Sequence, residues 1–318
     1  MAPASARESI ESLAHKLKVT IGNPDNRPEM IGDIDALPEL NQPVDNVIYS
    51  RSRKAAGLDC LLRPYQRSGA ARILELKRLI VGDEPGLGKT AQAITAIELA
   101  KNAKPCLIIC PSSLKINWQR EITDWSGSKS VILHDGCKNN FHLYYEAGYG
   151  DYFIVNFESL KKYFVEKIEL PHKNARLMLK HIHVKQNINL FKSVIIDESH
   201  RVKSSSAQQS KFTKGICSGK EYVIAMTGTP VVNRPVDLLV QLHIIDRLGD
   251  LGGWKYFNDR YCAGSKQASN LRELRYRLYK HCFYRREKKE VLQDLPAKQR
   301  QVVLCDINTR QEYNAALY

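Results

Sequence analysis

Asp83-Glu84-Pro85-Gly86-Leu87-Gly88-Lys89-Thr90 lies between a short apolar run, Leu79 to Val81, and a stretch of helical periodicity, Lys89 to Lys101. A glycine-rich loop between a buried strand and a helix is the setting of a phosphate-binding loop. Gly86 and Gly88 let the backbone curl so that successive N–H groups point at one anion, and the helix adds the positive end of its dipole. The stretch therefore predicts an α/β fold with a phosphate site at this junction.

The side chains of this loop suggest ATP and Mg²⁺ as cofactors. Lys89 is placed to reach the β- and γ-phosphates, and the Thr90 hydroxyl to bind Mg²⁺. The first position of the pattern G-x-x-x-x-G-K-[ST] is Asp83 instead of glycine, so a glycine-rich turn that binds no ligand is the alternative. The candidate nucleotide-binding residues are Arg63, Tyr65, Gln66, Asp83, Glu84, Pro85, Gly86, Leu87, Gly88, Lys89, Thr90 and Ala91.

A second candidate site follows the apolar run Val194 to Ile196, where the sequence continues Asp197-Glu198-Ser199-His200. Two acids at the end of a strand place Asp197 toward a metal ion and Glu198 where it can orient and deprotonate a water molecule. An ordinary acidic turn is the alternative. The predicted catalytic residues are Lys89, Asp197 and Glu198, and the predicted metal ligands are Thr90 and Asp197.

The apolar pattern predicts the fold class. Short continuous apolar runs alternate with amphipathic stretches, which is typical of a parallel sheet with helices on both faces. The predicted strands are Leu79 to Val81, Cys106 to Cys110, Val131 to Leu133, Tyr152 to Val155, Val194 to Ile196 and Tyr222 to Met226. The predicted helices after the first are Leu114 to Trp125, Leu238 to Leu248 and Leu271 to Tyr284.

We divide the chain into three segments. Residues 1–58 are polar and contain several prolines, which indicates an appendage, and residues 59–248 form the nucleotide-binding lobe. Residues 249–318 are interpreted as a basic helical extension, with ten basic and four acidic residues between positions 272 and 300. This extension either follows a phosphate backbone or is a solvated helix face. Its Tyr276, Tyr279 and Tyr284 are expected to be core contacts.

The composition favours a polyanionic partner. Among 318 residues, 48 Lys and Arg stand against 34 Asp and Glu, a net charge of +14. Nucleic acid is the first expectation and an anionic membrane the second. No apolar run is long enough to span a membrane, and eight cysteines without a C-x-x-C pair argue against a zinc ribbon or a secreted disulfide scaffold. We expect an intracellular protein, cytoplasmic or nuclear, with reduced thiols.

Three further motifs accompany the two sites. Leu62-Arg63-Pro64-Tyr65-Gln66 precedes the phosphate-binding loop, and the amide of Gln66 can both donate to and accept from an adenine edge. Pro111-Ser112-Ser113-Leu114 and Thr227-Gly228-Thr229-Pro230 each follow a predicted strand. Hydroxyl and backbone N–H groups at strand ends suit the phosphate oxygens of a polynucleotide.

Together these motifs resemble the first, ATP-binding lobe of the Swi/Snf-type ATPases of superfamily two, which include chromatin remodellers and annealing helicases. The resemblance covers roughly residues 61–298, and Asn233-Arg234-Pro235 is more similar to the annealing helicases. Its motifs are Leu62 to Gln66, Asp83 to Thr90, Cys110 to Leu114, Asn156 to Leu160, Asp197 to Lys203, Thr227 to Asn233, and Arg285-Arg286 with Leu295 to Lys298.

The resemblance implies a RecA-like fold and an ATP-dependent motor on double-stranded DNA, without sequence specificity. It implies that Gln66 contacts adenine and that His200 links the ATP site to the turn that contains Thr227 and Gly228. Ser112, Lys115 and Thr229 would lie on the DNA side.

Two departures from the family pattern stand out. Pro85 replaces a more usual apolar residue, which should stiffen the loop. The stretch Val165 to Phe191 is longer than the usual spacer before the acidic motif. Its histidines, His172, His181 and His183, lack further ligands at metal spacing, so we expect a solvated insertion instead of a metal site.

Such motors close two lobes over ATP, and the second lobe supplies an arginine finger. Few residues follow Lys298, so we expect a single lobe that binds ATP and DNA and, without its partner lobe, hydrolyses almost no ATP.

Two other functions stay open. An RNA helicase of the acidic-box type fits the phosphate loop but usually has Ser-Ala-Thr where this chain has Thr227-Gly228-Thr229. A non-hydrolysing nucleotide- and DNA-binding adaptor is the third possibility.

Overall fold

The computed structural model describes residues 62–137, 139–202, 204, 207–229, 235–262, 268–292 and 309–316. The strands are β1 (Arg78–Val81), β2 (Cys106–Cys110), β3 (Ser130–Ile132), β4 (Tyr152–Asn156), β5 (Val165–Ile168), β6 (Ile182–Val184), β7 (Ser193–Ile196), β8 (Tyr222–Met226) and β9 (Phe283–Tyr284). The helices are α1 (Pro64–Leu76), α2 (Lys89–Leu99), α3 (Lys115–Ser126), α4 (Phe141–Glu146), α5 (Leu160–Phe164), α6 (Gln208–Cys217), α7 (Pro235–Ile244), α8 (Gly253–Tyr261), α9 (Leu271–His281), α10 (Lys288–Val291) and α11 (Arg310–Ala316).

Within the described residues, seven strands form one parallel sheet in the order β3-β4-β2-β7-β8-β1-β9. Alternate residues of each strand enter different hydrophobic clusters: Leu107 and Ile109 of β2 belong to one, and Ile108 to the other. Helices therefore cover both faces, because each face must be shielded from water. The predicted α/β fold with a parallel, doubly covered sheet is confirmed.

The strand predictions agree closely with the structure, and the largest difference lies near the end of the sheet. The predicted helix Leu271 to Tyr284 ends at His281, and Phe283 and Tyr284 form β9 instead. This strand extends the sheet beyond β1, with Ile80 opposite Phe283. Apolar residues at helical spacing continue into this segment, so periodicity alone cannot separate the helix from the strand that follows.

The C-terminal helices pack on the main core. Phe257, Tyr261, Leu274 and Leu278 belong to the same hydrophobic cluster as the strands β2, β4 and β7. These helices therefore share a hydrophobic core with the described part of the nucleotide-binding lobe, and the division of the chain into three segments stays a prediction. Tyr279 and Tyr284 are buried, as expected of core contacts.

The insertion between residues 165 and 191 is partly a core element. β5 and β6 pair antiparallel, and Val165, Ile182, Ile188 and Phe191 are buried in the main cluster. The expectation of a solvated insertion is wrong for these four residues, because each contributes an apolar side chain to the main hydrophobic cluster.

Two of the three histidines of the insertion have ordinary side-chain partners. The backbone N–H of Met178 donates to Nδ1 of His181, and His183 lies 2.9 Å from a carboxylate oxygen of Glu169. No group of three potential metal ligands occurs in the part of the chain that the structure describes.

Several predictions fall outside the described residues. These include the appendage 1–58, Lys203 and the motif residues 230–233 and 295–298. Six cysteines, at positions 106, 110, 137, 217, 262 and 282, are buried free thiols. None of the described helices combines the length and apolar character required to cross a membrane.

Candidate nucleotide and nucleic-acid site

The loop after β1 has the backbone of a phosphate cradle. Gly86 and Gly88 have φ of +86° and +72°, in the left-handed region that favours glycine. Gly88 is the N-cap of α2, and no side chain caps the start of this helix. The first N–H groups of this helix are therefore open to an anion. A Cβ atom on Gly88 would also stand 2.3 Å from Nε2 of Gln66, so any larger residue would push Gln66 out of place.

Lys89 lies folded over the same loop. Its Nζ donates to the carbonyl oxygens of Asp83, at 2.8 Å, and Glu84, at 3.4 Å. Burial lowers the pKa of Lys89, and the nearby charges of Asp83, Glu198 and Asp197 oppose that shift. A phosphate in the cradle would offer this ammonium group a stronger, charged partner than two carbonyls.

Asp83 explains the missing first glycine of the loop. Its carboxylate is fully buried, 2.5 Å from Nη2 of Arg286, and it also accepts the backbone N–H of Arg286 at 3.0 Å and Nε at 3.1 Å. The side chain thus points behind the loop, away from the anion cradle. Any nucleotide contact of Asp83 must come from its backbone, and the carboxylate acts as a positioning group.

Gln92 and Tyr284 complete a buried group behind the loop, which also contains Asp83 and Arg286 and which we call the anchor. The side-chain oxygen of Gln92 accepts from the Tyr284 hydroxyl at 2.7 Å and from Arg286 at 2.8 Å, while its Nε2 donates to Asp83 at 3.1 Å. Sequence reasoning missed Gln92, although it lies one helical turn after Lys89. The sequence singles out Arg286 only as part of a motif. Its pairing with Asp83, which lies 203 positions earlier, leaves no local pattern.

Residues of the motif Leu62 to Gln66 also contact the phosphate loop and the anchor. The side-chain oxygen of Gln66 accepts the N–H of Arg63 at 2.9 Å, and its Nε2 donates to the carbonyl of Leu87 at 3.3 Å. The carbonyl of Tyr65 accepts from the guanidinium of Arg286, which also lies 5.4 Å from the centre of the Tyr65 ring. The adenine contact of Gln66 stays a prediction.

The acidic turn follows β7 at the same edge of the sheet. Asp197 accepts from Nε1 of Trp118 and from the N–H of Glu198, both at 2.9 Å. Burial raises the pKa of Asp197, and the charge of Glu198 adds to this effect. Glu198 has a φ of +49°, which is strained for a residue other than glycine. No sequence pattern assigns Trp118 this role.

His200 joins the acidic turn to the Thr227 turn. Its Nδ1 lies 3.2 Å from Oε2 of Glu198 and 3.2 Å from Oγ1 of Thr227. That hydroxyl also accepts the N–H of Thr229 at 3.1 Å. The structure thus places the predicted coupling residue His200 between the predicted base and the turn after β8.

Gly228 and Pro85 connect that turn to the phosphate loop. A Cβ atom on Gly228 would lie 2.8 Å from Cγ of Pro85, so the close approach requires glycine. Arg285 donates from Nη1 to the carbonyls of Gly82, at 3.2 Å, and Gly228, at 3.1 Å. The three predicted coupling positions therefore lie in one continuous set of contacts from the loop to the acidic turn.

The three predicted DNA contacts lie at the same sheet edge. Ser112 follows β2 and Thr229 follows β8, and these strands lie on either side of β7. Ser112 and Thr229 are exposed, while Lys115 at the start of α3 is half-buried.

The chain is similar to known proteins of one family. The family model described as "SNF2-related domain" matches residues 54–316. A Caenorhabditis elegans relative, the "SWI/SNF-related matrix-associated actin-dependent regulator of chromatin subfamily A-like protein 1 homolog", is 30% identical over 76% of this chain and 33% of its own length. The human "DNA annealing helicase and endonuclease ZRANB3" is 33% identical over 77% of this chain and 22% of its own.

A solved structure shares the fold. The Sulfolobus solfataricus SWI2/SNF2 ATPase core in complex with double-stranded DNA superposes with a TM-score of 0.56 at 24% identity, covering 75% of this chain and 47% of that one. The chain spans between a fifth and two fifths of the length of the relatives it matches. With a family model that matches most of its residues, the chain belongs to the SNF2-related domain family.

Proposed function

We propose that this chain is the ATP-binding lobe of an ATP-dependent translocase on double-stranded DNA. The observation that carries the proposal is the open helix start at Gly88, set beside Lys89 at the same sheet edge as Asp197 and Glu198. The names of the annealing-helicase relatives and of the DNA-bound SWI2/SNF2 core support it. A chromosomal DNA substrate would place the protein inside the cell.

The residues present fit Mg·ATP. The loop amides and Lys89 would hold the phosphates, and Thr90 with Asp197 would hold Mg²⁺, which prefers oxygen ligands. Bound Mg²⁺ would neutralise charge on the phosphates. The loop amides and Lys89 are the donors to the phosphates, and Asp197 and Glu198 are the two acids beside them.

Glu198 is the proposed general base. Its carboxylate is partly exposed, 40% of the side chain, so a water molecule can reach it. His200 contacts the same carboxylate and the Thr227 hydroxyl. A movement of the Thr227 turn on DNA binding would therefore change the position of the base, which is how we expect DNA to stimulate hydrolysis.

We propose that duplex DNA runs past the exposed loops after β2 and β8, contacting Ser112, Lys115 and Thr229 through phosphates. The net charge of +14 supports this. Binding should be independent of sequence and should weaken with salt, with a slope of about −0.9 per phosphate neutralised.

We further propose that hydrolysis requires a second RecA-like lobe that brings an arginine finger, worth roughly 10³ to 10⁵ in rate. Residues 1–318 alone should then bind Mg·ATP and hydrolyse it very slowly. Supplying a second lobe from a relative, fused or in trans, should restore DNA-stimulated turnover.

The test combines calorimetry with a phosphate-release assay. Lys89→Ala should abolish Mg·ATP binding, while Lys101→Ala, an exposed lysine just after α2, should leave it unchanged. Stimulation by single-stranded RNA instead of duplex DNA would indicate the RNA helicase. ATP binding without turnover, even with a second lobe, would indicate the adaptor. Fast hydrolysis by residues 1–318 alone would contradict the two-lobe proposal.

A further inference from the structure

A groove on the far side of the lobe has no part in the proposed function. It has a volume of about 330 Å³ and lies between α6, α7, the start of α8 and residues 176–179 of the insertion. Nε of Arg78, the first residue of β1, donates to the carbonyl of Ile245, just past the end of α7. The groove therefore lies toward the amino-terminal edge of the sheet, opposite the phosphate loop.

The floor of the groove is apolar and exposed. Met178 is 50%, Leu179 38% and Trp254 46% exposed, beside the buried Ile244. Leu179 is seated against α6, since a Cβ atom on Gly215 would lie 3.7 Å from its Cδ1. Contiguous apolar side chains of this kind, on a fixed support, mark a docking surface.

The rim of the groove is basic. Arg176, Lys211, Lys214 and His243 line it, and none of the described lining residues is acidic. Lys214 is paired with Asp246 at 3.1 Å. Burial and the positive charge of Arg176 both lower the pKa of Lys211. A carboxylate between Lys211 and Arg176 would offset the repulsion between these two cations.

These features select the kind of partner. A nucleic-acid backbone would match the charge but would leave Met178 and Leu179 uncovered, and Trp254 alone offers no series of rings for stacked bases. A groove between helices suits an amphipathic helix, whose apolar face covers the floor.

We propose that the groove binds an acidic amphipathic helix of a partner protein. The apolar side chains of this helix contact Met178, Leu179 and Trp254, and its carboxylates face Arg176 and Lys211. This interaction is separate from ATP and DNA binding and does not depend on the proposed function.

The experiment uses the full chain and a fluorescein-labelled peptide of about four helical turns, with leucines along one face and glutamates elsewhere. Fluorescence anisotropy should show binding, and the tryptophan emission should change on titration with unlabelled peptide. The Arg176→Glu/Lys211→Glu variant should bind at least about tenfold more weakly. Lys101→Glu/Lys129→Glu, which makes the same charge change at two exposed sites, should bind like the unmodified chain.

Further controls distinguish binding in the groove from loss of folding and from attraction to the overall charge. All variants should retain the thermal midpoint and Mg·ATP affinity of the unmodified chain. No binding of the acidic peptide would overturn the proposal. Equal binding of a peptide with lysines in place of the glutamates, equal loss in both charge variants, or full displacement by duplex DNA would overturn it as well.

Discussion

The phosphate loop and the acidic turn lie at one edge of one sheet, yet they are supported in different ways. Behind the loop, Asp83 is fully buried and paired with Arg286, whose side chain is 12% exposed. The acidic turn has partly exposed side chains, with Glu198 40% and His200 35% exposed, joined at 3.2 Å. The loop is anchored from behind by a buried ion pair, whereas in the acidic turn Asp197 is held by Trp118 and the contact between Glu198 and His200 lies at the surface.

This difference indicates a division of labour. Breaking a buried ion pair costs about 3–5 kcal/mol, so the phosphate loop should keep one shape with or without nucleotide. The left-handed backbone of Glu198 costs roughly 1–2 kcal/mol, and partly exposed pairs contribute less than about 1 kcal/mol. The Glu198 side of the acidic turn can therefore change conformation at low cost, which suits the proposed general base.

The largest expected effect comes from the acidic turn. In a protein that carries a second lobe, Glu198→Gln should lower turnover by roughly 10² to 10⁴, because the amide keeps the shape of the side chain but cannot accept a proton. Phosphate release measures the loss, and calorimetry should show Mg·ATP affinity within about twofold. Asp124→Asn, an exposed acid on α3, is the control. Retained turnover in Glu198→Gln would assign the base elsewhere.

The anchor behind the loop should give the largest loss of stability. Arg286→Ala leaves Asp83 charged and buried without its partner, which should lower the free energy of unfolding by about 3–5 kcal/mol. The denaturant midpoint reports the change. Arg275→Ala, an exposed arginine of α9, should change it little.

A double variant separates the ion pair from simple packing. Asp83→Asn/Arg286→Met leaves neither charge unpaired, so it should be more stable than Arg286→Ala alone. If the double variant loses the sum of the losses measured for Asp83→Asn and Arg286→Met, the pair is not coupled and the anchor interpretation is wrong.

The contact between the phosphate loop and the Thr227 turn should give an intermediate effect. Gly228→Ala puts a methyl group against the rigid ring of Pro85, where the Cβ atom would lie 2.8 Å away. Overpacking of this kind costs about 1–3 kcal/mol, and DNA-stimulated turnover should fall more than ATP affinity. Pro85→Ala/Gly228→Ala should recover part of the loss. If Gly228→Ala and Pro85→Ala/Gly228→Ala have the same ATP affinity and the same DNA-stimulated turnover, the contact carries no coupling.

The smallest effect concerns an exposed pair beside the acidic turn. A hydrogen bond from Asn156, aided by Arg201, lowers the pKa of Glu158 below its ordinary value of 4.5. The stabilisation is therefore present above that value and lost as the pH falls through the lowered pKa. With half of the side chain exposed, Glu158→Gln should cost less than about 1 kcal/mol at pH 7. The difference in unfolding midpoint should disappear under acidic conditions, and a larger cost would indicate a role in the site.

The sequence was most informative where chemistry is local. The loop from Asp83 to Thr90 and the acids Asp197 and Glu198 each sit on one strand end, so apolar runs and glycine spacing were enough to place them. The runs Cys106–Cys110 and Tyr222–Met226 were predicted as strands with their observed bounds.

The sequence was least informative where distant segments meet. Nothing near Asp83 indicates that Arg286 will neutralise it, and Phe283–Tyr284 is too short to show a strand period. Likewise, the insertion contains histidines and charges, and its four buried apolar residues are spread between Val165 and Phe191 among apolar residues that are exposed. Burial of a pair separated by many residues depends on topology, which no local pattern encodes.

The position of β9 has a consequence for synthesis of the chain. β1 leaves the ribosome early, but its outer neighbour follows only with Phe283, and Arg286 lies 203 positions after Asp83. At about 5–20 residues per second, Asp83 emerges roughly 10–40 s before its partner. During that time the edge of β1 is unpaired and the phosphate loop lacks its counter-charge. A nascent chain that stops near residue 248 should therefore be prone to aggregate and slow to bind nucleotide, because it lacks both β9 beside β1 and Arg286 beside Asp83.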